Sequence, residues 1–588
     1  MAVNRISRAK TPSGTTVVRT NLLRARRWMN RNGITLVRAD KAKTMVVMKQ
    51  ETYDHLLFEY INITNCEEVS NNTVEKLHAK VKKFNNSKLA KRLEFKKVVM
   101  DSPDTPKLFG FAKTHKSGQQ IRPVVDKNRA PTQQLEKLTH SLISPYLHDY
   151  PYTVNSSEQL LAYLKQVDNP PQFLTVFDFK SLYPSILLPP TFCALRDLLF
   201  RIVNDANLQQ QILEMTHLLC YNSLFQFRGK TYMQSRGVPM GSPIAGDLCE
   251  LVIRQLEERV LPLHISNIIL YRRYIDDILI LWKVKPDISA FLELVNDNRY
   301  GLTLELDQAH DRQVHFLDIS IKVDGKRIQT EVYRKPIAEP LYIPTTSCDP
   351  YHYKIAAFNT LIKRAYTHSS TKAALESEHR TIANIAKRHG YYNLMNKLSK
   401  KLRHPQVSAR DAGQEDDRPE HKDRVPVTYN PWLQKLYSEI AKKKNINITY
   451  RRCPTVFNIL RNAKDPPNNH MLSGVYTIPL KDHRCDEQLL YIGSTKRSLS
   501  VRLKEHIADI QHGRITTALA RYATDPDIDP KFSEARIIHT TPHTEHLRWI
   551  EAMSIYKAAR NNRCINNKEE LSLSLAWEML IQDRENIL

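Results

Sequence analysis

Glycine is scarce in this chain, at 15 of 588 residues, where about 7% is usual. That excludes a collagenous or Gly/Ser linker array and makes each glycine a marker of a special backbone position. The eight cysteines include no Cys-x-x-Cys pair, which excludes the common zinc and redox signatures. No apolar run is long enough for a membrane-spanning helix, which needs about 18 residues or more. Residues Met1 to Lys10 carry no apolar signal-peptide core. The two Asn-x-Thr runs, at Asn62 and Asn71, are therefore read as chance, and reduced thiols inside a cell are expected.

What the chain does have is positive charge. Lys and Arg number 87 against 62 Asp and Glu, a formal net charge of +25. An excess of this size points to a polyanionic partner, with nucleic acid the leading candidate, since phosphate neutralisation dominates such binding. The alternative is a basic protein that is merely soluble. Hydrophobic residues at 41% and charged residues at 25% fit a folded chain, and the length suggests roughly four domains.

Residues 1–100 read as a basic, mostly helical N-terminal region. One cluster is Arg24, Arg26, Arg27 and Arg31; a second is Lys82, Lys83, Lys88, Lys91, Arg92, Lys96 and Lys97. Each could track a phosphate backbone, serve nuclear targeting, or be a solvated helix face. Between 101 and 340, short β-rich runs alternate with helical stretches. Phe173 to Phe179 has a buried-strand pattern, and Ile268 to Trp282 is an apolar run with charges at its centre, which suggests a hairpin. Residues 302–306 and 316–321 alternate with period two, as half-buried strands do. Residues 341–404 turn helical and basic. Residues 405–468 read as a charged linker, 469–575 as a second compact block and 576–588 as a tail.

The central chemistry lies in Tyr274-Ile275-Asp276-Asp277, inside the apolar hairpin. Two buried carboxylates need a cation or hydrogen bonds to offset desolvation. Mg²⁺, or Mn²⁺, is the expected ion, being hard and suited to carboxylate and phosphate oxygens. Asp178 ends another apolar strand. Placed beside the hairpin pair, it would complete a two-metal site for phosphoryl transfer. Tyr183, five residues further on, could close on a sugar 2′ position and exclude ribonucleotides.

These residues resemble a known family. Asp178 with Tyr183 resembles motif A of reverse transcriptases, and Tyr274 to Asp277 resembles motif C. Between them, Arg236-Gly237-Val238-Pro239-Met240-Gly241-Ser242-Pro243-Ile244-Ala245-Gly246 resembles motif B, a turn that packs under the template base and incoming nucleotide. Upstream, residues 109–116 and 121–125 resemble finger motifs, in which the matching Lys113 and Arg122 pair with triphosphate oxygens. Downstream, residues 315–318 and 332–336 resemble the last palm strands and primer grip. Met240 stands where most retroelement enzymes have Gln. With Ala39-Asp40-Lys41, the Lys-x-His-Lys run and the Tyr-Arg-Lys-Pro run, the pattern is most similar to Penelope-like retroelement polymerases, relatives of telomerase.

The C-terminal block has its own motif pair, Gly474-Val475-Tyr476 and Tyr491-Ile492-Gly493, with Arg502 nine residues after the second glycine. Arg502 and His506 are spaced to share a helix face. The block resembles the GIY-YIG endonuclease domain. That resemblance implies water activation by Tyr476 with help from His506, phosphate stabilisation by Arg502, a divalent ion on Glu551, and support from Tyr491 and Asn566. Between Asn566 and its neighbour Asn567 the sequence does not choose. The family often carries a cysteine pair between the tripeptides. Here only Cys485 stands there, beside His483, and one thiol is too few for a four-ligand structural zinc site. Zinc bound through Cys485, His506 and others stays an open alternative.

The expected fold class is therefore α+β and multidomain. A right-hand polymerase of fingers, palm and helical, helix-turn-helix-like thumb precedes a small mixed α/β GIY-YIG domain. The resemblance implies an RNA-directed DNA polymerase coupled to a DNA-nicking endonuclease, acting in target-primed reverse transcription of a retrotransposon. Implied partners are an RNA template, a DNA primer, a DNA target and deoxynucleoside triphosphates, with no membrane. Synthesis is expected in the cytoplasm and action in the nucleus. No remaining segment is long enough for an RNase H domain. In the thumb, His352, Lys354, Arg364 and His368 could touch phosphate or face solvent. Two rival readings are a telomerase-like polymerase and a catalytically retired nucleic-acid-binding descendant. The nuclease motifs argue against the first, and the intact acids against the second. Gly110, Gly237, Gly241, Gly246, Gly474 and Gly493 all fall in these motifs.

Overall fold

A computed structural model describes residues 15–41, 44–70, 72–85, 103–114, 118–147, 149–325, 327–336, 341–394, 423–451, 455–465, 469–484, 488–541, 544–559 and 564–566. The basic residues Lys88, Lys91, Arg92, Lys96 and Lys97, the motif residues His115 and Lys116, Cys485, Asn567 and the 576–588 tail lie outside the described residues.

The chain opens with a helix, Thr15–Arg31, followed by a hairpin of β1 (Ile34–Arg38) and β2 (Met45–Lys49). The helix Gln50–Ile63 buries Tyr53, Leu57, Tyr60 and Ile61, residues at helical spacing that form one apolar stripe. This stripe lies in the same core as a five-stranded sheet. The sheet contains β3 (Glu67–Val69), β4 (Lys107–Ala112), β5 (Ile121–Asp126), β7 (Ser223–Phe227) and β8 (Lys230–Gln234), in the order β3-β8-β7-β4-β5. The region before residue 101 therefore corrects one expectation. It holds three strands as well as its helices, and through β3 it is part of this sheet rather than a separate basic unit.

The central sheet has the order β11-β6-β10-β9, from β6 (Phe173–Phe179), β9 (Ile268–Tyr274), β10 (Asp277–Trp282) and β11 (Leu304–His310). Successive side chains of a strand point to opposite faces, and here both faces are covered. Phe177, Ile278, Ile280 and Trp282 enter one core with the helix Ala245–His264. Val176, Leu279 and Leu281 enter another with Leu160, Phe316 and Ile319. That is why β6 and β10 read as continuous apolar runs. Each such side chain contributes about 1.5–3 kcal/mol of burial. Trp282 Nε1 donates to Thr175 Oγ1 at 2.8 Å, which satisfies its polar end inside the core.

A second correction concerns residues 316–321. The alternation continues through them, but the backbone does not. Leu317 takes φ 56°, and the chain turns from β12 (Gln313–Phe316) into β13 (Ile319–Asp324), which then pairs with β14 (Arg327–Val332). The next two helices, Tyr351–His368 and Lys372–Arg388, bury a shared core of Phe358, Ile362, Ile382 and Ala386. Of the four residues that could touch phosphate or face solvent, two instead meet a carboxylate. Arg364 Nη1 and His368 Nε2 both lie 3.2 Å from the carboxylate of Asp318, and Ser157 donates to the same group. Arg334 pairs with Glu378 beside them. These ion pairs tie the helical unit to the strand unit. Lys354 binds the carbonyls of Thr345 and Ser347.

The charged linker expected over 405–468 is a third correction, for its described part. β15 (Arg424–Thr428) and β16 (Asn447–Arg451) pair in parallel around the helix Gln434–Lys444. The helix Val456–Leu460 packs on Thr15–Arg31. Asn462 Nδ2 donates to Ile34 O at 2.7 Å, its Oδ1 accepts from Leu36 N at 2.9 Å, and Ala463 joins the core of the five-stranded sheet. Lys464 pairs with Asp126, and Asp465 with Arg228 at 3.9 Å. Polar composition hid this docking because it runs through side-chain hydrogen bonds rather than an apolar stripe.

The last unit is a sheet of β18 (Gln488–Thr495), β17 (Gly474–Asp482) and β19 (Ile528–Pro530), with β20 (Arg536–His539) also on β17. The helices Leu499–Gln511 and Leu547–Ala559 cover it.

Burial alone would raise the Asp318 carboxyl. The hydrogen bonds from His368 and Ser157 and the charge of Arg364 outweigh it and hold the group down at about 2, against 3.8 for a free aspartate. A depressed carboxylate stabilises the fold above its unfolded value and loses that contribution as pH falls through the folded one. Asp318→Asn is therefore expected to lower the melting temperature between about pH 5 and pH 8, with the difference vanishing towards about pH 2. Thermal melts of both proteins across that range check it; a constant gap down to the lowest pH would sink the assignment.

Candidate active sites

Asp277 stands directly opposite Asp178 in the β10–β6 pairing. Directly opposed residues of antiparallel strands share a face, so register alone places the two carboxylates side by side. Asp276 joins them from the β9–β10 turn. Oxygens of Asp178, Asp276 and Asp277 all lie within 4.8 Å of one another, each carboxylate half-buried. Burial, then the charges of Asp276 and Asp178, push the Asp277 carboxyl up to about 6, with Lys41 and Lys335 acting in the opposite direction. An acid cluster in which repulsion and burial outweigh the nearby lysines, built only of oxygen donors, fits a hard divalent cation.

The turn is held from behind. Ile275 has φ 56°, a strained conformation for a β-branched residue. Arg273, whose side chain is fully buried, donates from Nη1 to Ile275 O at 3.1 Å. Its other bonds run to Glu257 at 2.6 Å and Glu250 at 2.7 Å, on the helix Ala245–His264. Arg254 also pairs with Glu250 at 2.7 Å. Burial would raise Glu250, but the two arginines outweigh it and lower its carboxyl. Nothing in the sequence motifs marked Arg273. The available signal was a charged residue inside an apolar strand.

A cavity of about 490 Å3 is tied to the triad through its lining residue Tyr183, whose hydroxyl feels the charge of Asp276. The expected nucleotide-binding residues Arg122, Tyr183, Met240 and Gly241 line it, with Arg38 and Asp40. Lys113 is not among its lining residues; its amide donates to Gln120 O at 2.8 Å at the end of β4. Arg122 Nε lies 3.3 Å from the carboxylate of Asp40, which orients its guanidinium. Arg38 is a lining residue that motif reasoning missed. Gly241 shows why a glycine stands here. With φ 110°, a Cβ would lie 2.3 Å from Val125 O, so only glycine lets the loop reach β5, where Val125 N donates to Met240 O at 2.9 Å. Tyr183 is half-buried, and burial pushes its hydroxyl up to about 12, so it enters the cavity as a neutral ring.

In the C-terminal unit the predicted residues converge on the β17–β18 pair. Tyr476 faces Gly493 across it. A Cβ on Gly493 would lie 2.5 Å from the Tyr476 hydroxyl, so the glycine is the space that the phenol occupies. The Tyr476 hydroxyl is 2.7 Å from His506 Nε2 and receives Arg502 Nε at 3.3 Å. Burial, then the charge of Arg502, lower His506 to about 4, so its ring is neutral at neutral pH and can accept from Tyr476. Burial raises the Tyr476 hydroxyl, opposed by Arg502. Ser494 donates to Glu551 Oε2 at 2.7 Å; Ser494 is a partner that motif reasoning missed. Asn566, one of the two candidates, brackets the second tripeptide: its Oδ1 accepts from Ile492 N at 2.9 Å and its Nδ2 donates to Ile492 O at 2.7 Å. Tyr491 packs edge-on against His506.

Residues 114–317 match the family model described as reverse transcriptase (RNA-dependent DNA polymerase). Residues 114–317 form a reverse transcriptase domain. The acid triad and the cavity lining from Arg122 to Gly246 lie inside that domain. Residues 341–393 match the animal helix-turn-helix domain. No curated protein matches the chain. Similar solved structures include a Candida albicans telomerase with a TWJ fragment of telomeric RNA. It has 12% identity and TM-score 0.45, and 64% of each chain is covered. An apo telomerase from Candida tropicalis has 13% identity and TM-score 0.37, covering 68% of this chain and 69% of that one. A human picobirnavirus RNA-dependent RNA polymerase has 12% identity and TM-score 0.38, covering 68% and 84%. The chain thus spans about two thirds of the length of these telomerases.

If Arg273 holds the reverse transcriptase domain's acid turn, Arg273→Met leaves the buried Glu257 without its guanidinium and Glu250 with Arg254 alone. It is expected to destabilise this unit by about 3–5 kcal/mol. Urea unfolding followed by tryptophan fluorescence, with Trp282 in the affected sheet, checks this; a loss under about 1 kcal/mol would show the fork to be dispensable.

Proposed function

We propose that this chain is an RNA-directed DNA polymerase joined to a GIY-YIG DNA endonuclease, of the kind found in Penelope-like retroelements. The two centres act in sequence: one nicks target DNA, and the other extends the freed 3′-hydroxyl along an RNA template. The observation that carries the reading is the Asp178, Asp276 and Asp277 cluster beside a lined cavity within a reverse transcriptase domain.

Asp178, Asp276 and Asp277 would hold Mg²⁺ or Mn²⁺, which would neutralise phosphate charge and lower the pKa of the primer hydroxyl. The primer 3′-oxygen bonds to the α-phosphorus, and the bond to pyrophosphate breaks. Arg122, oriented by Asp40, faces the triphosphate from the cavity wall, and Lys113, outside the lining, would have to swing in to reach it. Met240 and Gly241 underlie the base pair, and the ring of Tyr183 occupies the space a 2′-hydroxyl would need. The helical unit described over residues 341–394 acts as a thumb on the product duplex.

At the second centre, Tyr476 passes its proton to neutral His506 and takes one from a water; the water oxygen bonds to the scissile phosphorus, the bond to the 3′-oxygen breaks, and that oxygen leaves with a proton from solvent. Arg502 stabilises charge on the scissile phosphate. Glu551, its carboxylate fixed by Ser494, would hold the divalent ion there, and Tyr491 and Asn566 support the geometry. Partners are then an RNA template, a DNA primer and target, and deoxynucleoside triphosphates, with the nucleus as site of action.

Extension of oligo(dT) on poly(rA) with Mg²⁺ tests the first centre: wild type is expected to extend, and Asp276→Ala to fall to background. Equal extension by both would refute the polymerase assignment. Nicking of supercoiled plasmid tests the second. Arg502→Ala is expected to slow it about 100- to 1,000-fold and Glu551→Ala to abolish it. Nicking that survives both removes the nuclease half of the proposal.

A further inference from the structure

The unit formed by residues 423–451 is an open one. β15, the turn Pro431–Leu433, the helix Gln434–Lys444 and β16 make one crossover, yet neither the turn nor the helix buries a residue. Among the described residues its sheet has two strands, each with one edge unpaired. A two-stranded element without a core has little stability of its own, which points to something lying against it.

Its surface is aromatic. Tyr450 is the centre of a ring cluster, with Tyr429 at 4.9 Å and Tyr437 at 6.4 Å. Tyr353 and His352, from the start of the helix Tyr351–His368, each lie 6.4 Å from the same ring. Trp432 stands clear of them at 81% exposure. The setting is cationic: Arg424, Lys435 and the exposed run Lys442, Lys443 and Lys444 outnumber Asp423 and Glu439. Stacking rings among lysines suit the bases and phosphates of an unpaired strand. A protein partner would be a poor match, since lysine is depleted in protein interfaces. Tyrosine hydroxyls, which both donate and accept, can also engage a ribose 2′-hydroxyl, the group that separates RNA from DNA.

We propose that residues 423–451, together with Tyr353 and His352, form a second nucleic-acid site that takes unpaired RNA outside the polymerase cleft. The site needs no catalysis, so it stands apart from the polymerase and nuclease activities.

The test titrates the full-length protein with fluorescent oligo(U) RNA while a preformed primer–template occupies the cleft. Trp432→Ala combined with Tyr429→Ala is expected to weaken oligo(U) binding about tenfold or more. Trp432→Phe, which keeps a stacking face, is expected to retain most of the affinity. Extension of the primer–template by these variants stays at the wild-type rate, which shows that they are folded. Oligo(U) affinity unchanged by loss of both rings overturns the proposal, as does equal or tighter binding of oligo(dT). Unaltered RNA affinity with a dimer that only the wild type forms would assign the face to a second copy and overturn it as well.

Discussion

One buried guanidinium organises the centre of this molecule. Arg273 forks between Glu250 and Glu257, two turns apart on one helix, and still reaches the carbonyl of the strained Ile275. Buried ion pairs of this kind add little net stability over apolar replacements; their value is registry. Here the registry has two ends. The arginine sits on the strand that leads into Asp276 and Asp277, and the glutamates sit on the helix whose first residues, Ala245 and Gly246, line the neighbouring cavity. The position of the acids and the shape of the cavity are therefore set by the same bonds. A hairpin turn that would otherwise relax its positive φ is kept where the third carboxylate can meet the other two.

Parts of this were legible from residue order alone. Asp276 and Asp277 stood out because a strand that is apolar on both faces has no other reason to carry adjacent acids. The opposition of Asp178 and Asp277 followed once both were read as strand ends. Gly493 and Tyr476 were legible as a pair of tripeptides, although the reason for the glycine, the volume of the phenol across the sheet, is visible only in the pairing. Other parts were hidden for physical reasons. A single left-handed residue, Leu317, reverses the chain inside an alternating pattern that does not register it. Arg364 and His368 looked like cations available to phosphate because their partner Asp318 lies far away in the chain. Residues 423–465 looked like linker because their contacts are made by amides, rings and charges rather than by a buried stripe.

The same contrast separates the two sites in construction. The triad is assembled from backbone register and a single turn, so its geometry is inherited from the sheet. The tyrosine centre is assembled from side chains meeting over a gap left by glycine: Tyr476, His506 and Arg502 come from a strand and one helix face, and Asn566 pins the neighbouring strand from outside. The first is fixed by strand pairing, and the second depends on a phenol filling the space that a side chain at Gly493 would take.

The docking of Asn462, Lys464 and Asp465 on the five-stranded sheet has a consequence for reach. β17 begins at Gly474, nine residues beyond Asp465. Even fully stretched, a chain of that length spans only about 30 Å. While the anchor holds, the C-terminal unit is on a short leash fixed to the N-terminal half of the molecule rather than at the end of a long flexible arm. That length equals roughly nine base-pair steps of a DNA strand. Under the proposed nicking reaction, a freed strand end would emerge from a unit tethered this closely to the body that carries the acid triad.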